Sequence, residues 1–246
     1  MKRYLRSFPL WSLLLGLWLA LVPAGWSAVD FDGTDDWIDL GAVSVGAADF
    51  TVSAWIRRDA AGAESIFDNE GGAKELGLDI TAADKLHLWC NAEGATGATA
   101  LNAATWYHVA ATRSGTGVTL YVNGSSDGTG TNGNDCSGTG ARIGAFNDAG
   151  GNGFDGLITD VRIYSRALSA VEILELASAR LKYHDITGAV PLGYWPLDDC
   201  VDGASGDLVT FIDRAGAING TGDNGANNTG LTCRGESNLM YPWGTW

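Results

Sequence analysis

The sequence predicts an all-β fold: a two-sheet antiparallel jelly-roll sandwich, with one short helix after its last strand and an irregular C-terminal extension. Three observations carry this reading. Apolar and polar residues alternate with period two in run after run between residues 28 and 165. Clusters of Gly, Asn, Asp and Ser separate those runs at short intervals. Helical spacing of apolar residues appears once, after the last alternating run.

The first element poses a choice. The stretch DFDGTDDWIDLG, Asp30 to Gly41, holds five aspartates in twelve residues. An EF-hand loop needs oxygen ligands at its first, third and fifth positions, Gly at the sixth and Glu at the twelfth. Counted from Asp30, those last three places hold Thr34, Asp35 and Gly41, so the loop is not an EF-hand. VDF and WIDL each alternate, and DGTDD between them is turn chemistry, which predicts a hairpin. FTVSAWIRR (50–58) follows, with Phe50, Val52, Ala54 and Ile56 inward against Thr51, Ser53, Trp55 and Arg57. ELGLDI (75–80), KLHLWC (85–90), WYHVAATR (106–113), GVTLYVNG (117–124), ARIGAF (141–146) and LITDVRIY (157–164) repeat the pattern. DNEGGA, AEGATGA, SGTG, NGSSDGTGTNGNDCSGTG and NDAGGNG read as the turns between them.

LSAVEILELASARLKY (168–183) changes period. Ser169 and Glu172 form a capping box, and Val171, Ile173, Leu174, Ala177 and Leu181 recur near helical spacing. VPLGYWPLDDC (190–200) then reads as a strand, and RAGAINGTGDNGANNTG (214–230) as a loop. The chain is thus divided into 1–27, a signal peptide; 28–182, the sandwich; and 183–246, the extension.

Residues 1–27 carry Lys2, Arg3 and Arg6, then an apolar run from Leu10 to Val22, then Pro23 and small residues near Ser27. The run is too short to span a bilayer. It predicts a secreted or cell-surface protein whose mature chain does not insert in a membrane. Removing Lys2, Arg3 and Arg6 with the leader takes the formal charge from −14 to −17, which excludes nucleic acid and anionic membranes as partners. All four cysteines, Cys90, Cys136, Cys200 and Cys233, lie in the exported part, which suggests disulfides. Three pairings exist, and Cys90–Cys136 with Cys200–Cys233 is preferred because each pair closes within one region.

Four segments together resemble a laminin G-like jelly-roll domain of the concanavalin A-like lectin/glucanase superfamily. They are VDFDGTDDWIDLG, DFTVSAWIRR, WYHVAATRSGTGVTLYVNG and FDGLITDVRIYSRALSAVEI, in the family's order and at its spacing over 29–175. GYWPLDD (193–199) and DRAGAINGTG (213–222) resemble the opening of a second such module. The resemblance implies two sheets packed face to face. It also implies a Ca²⁺ site at a sheet rim, for which Asp30, Asp32 and Asp160 are the candidate ligands. The last strand reads ITDV, so Thr159 stands where relatives carry a first acid.

Enzyme chemistry is not expected. Glycoside hydrolysis needs a pair of carboxylates, which on a strand would read E-x-D-x-E. No such run exists, Asp198 and Asp199 are adjacent, and Glu64, Glu70, Glu75 and Glu93 are scattered. No nucleophile elbow or phosphate loop is present, and His87, His108 and His184 read as structural or surface residues. The expected function is a non-catalytic module recognising carbohydrate or a cell-surface protein, acting as a small secreted or surface protein. Trp37, Trp55, Trp89, Trp195, Trp243 and Trp246 are its candidate stacking platforms. The rival reading is a structural or adhesive protein using the aromatic tail.

Overall fold

The computed structural model describes residues 26–70, 74–146, 152–178, 190–197, 210–215, 218–223 and 232–236. Sixteen strands and one helix lie among them. In chain order the strands are β1 (Trp26–Asp32), β2 (Trp37–Gly41), β3 (Phe50–Arg58), β4 (Glu64–Glu70), β5 (Lys74–Ile80), β6 (Lys85–Trp89), β7 (Glu93–Ala100) and β8 (Trp106–Ser114). They continue as β9 (Gly117–Val122), β10 (Ser125–Thr131), β11 (Gly140–Ile143) and β12 (Asp155–Tyr164); helix α1 (Ala170–Ser178) follows. Beyond it come β13 (Gly193–Trp195), β14 (Thr210–Phe211), β15 (Gly220–Asp223) and β16 (Thr232–Glu236).

Two antiparallel sheets form the sandwich. The first runs β10-β9-β8-β3-β12-β1-β16, with β13 also paired to β12. The second runs β14-β15-β2-β11-β4-β5-β6-β7. One apolar core fills the space between them, from Val29 and Phe31 of β1 to Leu86 and Leu88 of β6. β1 meets β12 over Asp155–Ile158, and β13 takes over at Val161–Ile163 on the same edge. Described residues beyond 190 therefore extend both sheets: β13 on β12, β15 on β2 and β16 on β1.

The expected hairpin at Asp30–Gly41 is not one. β1 pairs with β12 and β16, whereas β2 pairs with β11 and β15, so the turn carries the chain from one sheet to the other. Period-two alternation with a polar turn fits both a hairpin and an arch, because each puts one face of both strands on the core.

Strands β7 and β10 fall largely on residues read as turn, EGATGATA and SSDGTGT, and β4, ESIFDNE, ends on three of them. Packing explains the first two. β7 and β10 are edges of opposite sheets lying against each other, and glycine lets them approach. A Cβ on Gly130 would stand 1.9 Å from the Gly94 carbonyl oxygen, and one on Gly128 would stand 2.6 Å from that of Thr96. Asp127 of β10 then accepts the Ala98 and Thr99 amides of β7 at 3.1 and 3.0 Å, replacing a strand partner. Within the stretch read as loop, Gly220–Asp223 forms β15 against β2.

Arg58 and Arg113 face inward at opposite ends of β3 and β8, where the alternation places apolar residues, and both are 0% exposed. The Arg58 guanidinium donates to Glu64 (2.9 Å), Asp84 (2.9 Å), and the Leu101 and Gly62 carbonyls (2.8 Å each). Arg113 donates to the carbonyls of Asn134 (2.7 Å), Gly46 (2.9 Å) and Ala48, lies 4.8 Å from the Phe50 ring centre, and touches both sulfurs of a Cys90–Cys136 disulfide. The Cα atoms of that bridge are 5.1 Å apart. The Cys200–Cys233 pairing lies outside the described residues, as do the leader up to residue 25, Leu181, His184, Asp198, Asp199, Trp243 and Trp246.

The capping box forms as expected. Ser169 N donates to Glu172 Oε2 at 2.7 Å and Glu172 N to Ser169 Oγ at 3.4 Å, while Arg166 grips Glu172 at 2.6 Å. Those hydrogen bonds, that of Arg166 first, hold the Glu172 carboxyl down to about 2. Ile173, Leu176 and Ala177 face inward, the first two packing on Ala110, Tyr121, Tyr164 and Leu168; Val171 and Leu174, expected on the apolar stripe, are exposed. No described helix is long and apolar enough to cross a membrane.

Two outcomes check this architecture. Gly130→Ala should destabilise by about 1–3 kcal/mol, as overpacking does, read as a fall in Tm of several degrees. Cys90→Ala with Cys136→Ala should lower the unfolding free energy in a guanidinium titration by about 4 kcal/mol, since the bridge closes a loop of 46 residues.

Candidate functional site

The outward face of the second sheet gathers polar and aromatic side chains by register. β5 and β6 pair Asp79 with His87 and Gly77 with Trp89, while β6 and β7 pair His87 with Thr96 and Trp89 with Glu93. Leu86 and Leu88 between them point to the core, so Lys85, His87 and Trp89 share the outer face.

His87 is the hub. Its Nδ1 lies 3.5 Å from Asp79 Oδ2, and its Nε2 lies 3.0 Å from both oxygens of Glu93. Its ring stands 6.4 Å from that of Trp89, tilted by 50°. Burial works to lower the His87 pKa; hydrogen bonds to Asp79 and Glu93 outweigh it and hold the group above its ordinary value. Thr96 Oγ1 donates to Glu93 Oε1 at 3.2 Å. The Glu93 side chain is 63% exposed, so a carboxylate fixed on one side faces solvent on the other. The two His87 nitrogens point at different carboxylates, so this trio has no common point for a metal.

The candidate calcium ligands do not converge. Asp30 stands opposite Leu157 and Asp32 opposite Asp155, leaving Asp160 three and five residues further along β12. At a strand rise of about 3.3 Å per residue those offsets are roughly 10 and 17 Å. Asp160 sits at a bulge with φ +55° and is bound by Arg162 at 2.8 Å. Instead, Asp32, Asp35 and Asp36 lie together in the arch, each offering an oxygen within 4.8 Å of the others. Asp32 accepts the Thr34 amide and Asp36 the Asp32 amide, both at 2.8 Å. Asp155 is beside them: burial, then Asp59 and Asp32, raise its carboxyl above the usual range. Asp35 Oδ1 is buried without a hydrogen-bond partner, an atom a cation would satisfy. The arch brings these three carboxylates together, and Asp30 and Asp160 lie outside it.

Of the candidate platforms, Trp195 is fully buried and donates to the Ile218 carbonyl at 2.8 Å, and Trp55 packs edge-on against His108. Trp37 is also buried, whereas Trp89 is partly exposed. His108 is buried, and burial with Arg162 nearby pushes its pKa down to about 3. The trio around His87 was not foreseen as a unit. The stripe Lys85, His87, Trp89 was visible as alternation, but Glu93 lies in a segment that reads as a turn.

The sequence model described as Concanavalin A-like lectin/glucanases superfamily, of laminin G type, matches residues 32–174. No curated protein matches the chain. Among solved structures, a proposed carbohydrate-binding protein from Bacteroides ovatus superposes with a TM-score of 0.65 at 23% identity, over 86% of this chain and 60% of its own. A native heptameric SAP-like pentraxin from Limulus polyphemus gives a TM-score of 0.56 at 18% identity, over 82% of this chain and 97% of its own. Domains LG4-5 of the mouse laminin alpha1 chain give 0.48 at 18% identity, over 59% and 44%. The first two likenesses, at these identities, show the fold alone. The chain spans 60% of the length of the Bacteroides ovatus protein.

The His87 contacts have a pH signature. A group whose pKa is raised on folding stabilises fully below its unfolded value, near 6.5, and loses that contribution as pH rises through the folded value. The stability advantage of the native chain over His87→Gln, on the order of 1 kcal/mol and read as a difference in Tm, should be largest below pH 6 and shrink as pH rises through the folded value. His108, held neutral, does not titrate in that window.

Proposed function

The chain belongs to the Concanavalin A-like lectin/glucanases superfamily, and from that membership we propose an exported, non-catalytic module that binds carbohydrate on the outward face of its second sheet. The observation that carries the proposal is the pairing of partly exposed Trp89 with Glu93, a carboxylate held in place by His87 and Thr96. An aromatic face beside a fixed polar group is how apolar-faced, hydroxyl-edged ligands are recognised.

A non-catalytic role is supported by the same geometry. Asp79 and Glu93 flank one position as the carboxylates of a glycosidase would, but the His87 ring fills the gap between them. An inverting enzyme needs that gap for water and a retaining one needs it for the sugar. Secretion rests on the N-terminal leader. A cell-surface glycan suits both, and a protein partner reached through the aromatic tail is the other reading.

The cation role belongs to Asp32, Asp35 and Asp36. Calcium there would tie the end of β1 to the start of β2, cross-linking the two sheets at one rim.

Titration calorimetry against a panel of neutral and charged oligosaccharides tests the proposal. At least one should bind, and Trp89→Ala should weaken it about tenfold, equivalent to about 1.4 kcal/mol, without moving Tm by more than a few degrees. Absence of binding at millimolar sugar, or indifference to Trp89→Ala, would sink it. For the cation, Tm should rise with calcium and fall back with a chelator, the rise being lost in Asp35→Asn but kept in Asp160→Asn.

A further inference from the structure

We infer that the ligand is a neutral glycan held by a vicinal pair of hydroxyls, and that Glu93 is the residue that selects it. The inference rests on the carbohydrate reading above and adds the chemical class. It follows from which hydrogen-bonding groups at the site are already taken.

The donors beside Glu93 are spent, Lys85 aside, whose ammonium has three N–H groups and gives one to a carbonyl. The two His87 nitrogens face Asp79 and Glu93, and Thr96 gives its hydroxyl proton to Glu93. Lys85 Nζ donates to the Ala98 carbonyl. What faces outward is acceptor capacity, chiefly that of Glu93. An ionised carboxylate has about four lone-pair sites and no proton to give. His87 and Thr96 supply two donors from one side, and the 63% exposed remainder is open to solvent. A ligand must therefore bring donors, and two adjacent hydroxyls match the two oxygens of one carboxylate.

Position adds the second constraint. Glu93 pairs with Trp89 in the β6–β7 ladder, just past a register shift between Leu88 and Trp89. A sugar ring laid on the indole would present its edge hydroxyls to that carboxylate without further adjustment.

Charge decides between ligand classes. The chain carries a net −14, and Glu93, Asp79 and Asp127 outnumber Lys85 at this corner. A uronate or sulfate would meet repulsion and bring acceptors where acceptors already stand. A protonated amino sugar would be drawn by charge alone, but His87 already partners the Glu93 carboxylate.

Three polysaccharides probe this: an unsubstituted neutral glucan or mannan, a polyuronate, and a polyamine glycan such as chitosan, each titrated at low and at 0.5 M salt. The neutral polymer should bind with little salt dependence, and the polyuronate at least tenfold more weakly. Glu93→Gln, which keeps size but loses the carboxylate, should cost the neutral ligand tenfold or more, with Tm as the folding control. Thr96→Val, which only loosens the carboxylate, should cost a smaller factor. A polyuronate bound as tightly as the neutral polymer, a polyamine bound more tightly with steep salt dependence, or a Glu93→Gln variant within twofold of native would overturn the inference. If Trp89→Ala still weakens binding in that last case, carbohydrate recognition stands and this selection falls. If none of the three polymers binds, both fall.

Discussion

Two buried guanidinium groups hold the ends of this sandwich shut. Strand pairing satisfies backbone groups along the sheets, but at each end the chain must cross between sheets, and its carbonyls there enter the core. Arg113 at one end and Arg58 at the other present donors in a fixed fork to those carbonyls. Arg58 brings carboxylates with it, Glu64 and Asp84. Among the described residues Arg113 touches carbonyl oxygens, the Phe50 ring and the disulfide sulfurs, and burial lowers its pKa despite Asp49 and Asp135 nearby. Neutralising either arginine would orphan several buried acceptors at once, each costing about 1–3 kcal/mol.

The alternating strands were legible because one face of each is apolar, and the helix was legible from its cap. What was not legible depended on partners distant in sequence. Whether DGTDD turns a hairpin or an arch is decided by β12 and β11, over a hundred residues away. Glycine at 94, 97, 128 and 130 reads as turn material, yet it serves as clearance where two edge strands meet. Asp160 lies apart from Asp30 and Asp32 for a related reason: it belongs to a bulge, and a bulge changes which way a residue faces without leaving a mark in the pattern. The Asp32, Asp35 and Asp36 cluster was local and within reach of the sequence, had the turn been read as an arch.

The two outer faces have divided their roles. That of the first sheet is occupied by helix α1, by Arg162 stacked 4.2 Å from the Tyr194 ring of β13, and by His108 under Trp55. Its polar residues serve packing. The second sheet keeps titratable groups at β5–β7, where His87 links three strands through side chains alone. That corner also adjoins the glycine contact between β7 and β10.

β1 has a temporal consequence. It is flanked by β12 on one side and β16 on the other, so residues 28–32 wait for 155–158 and then for 232–234. At about 5–20 residues per second, synthesis separates the first strand from its last partner by about 10–40 seconds. The earliest strand to be made is among the last to be completed, and pairings of that span fold slowly.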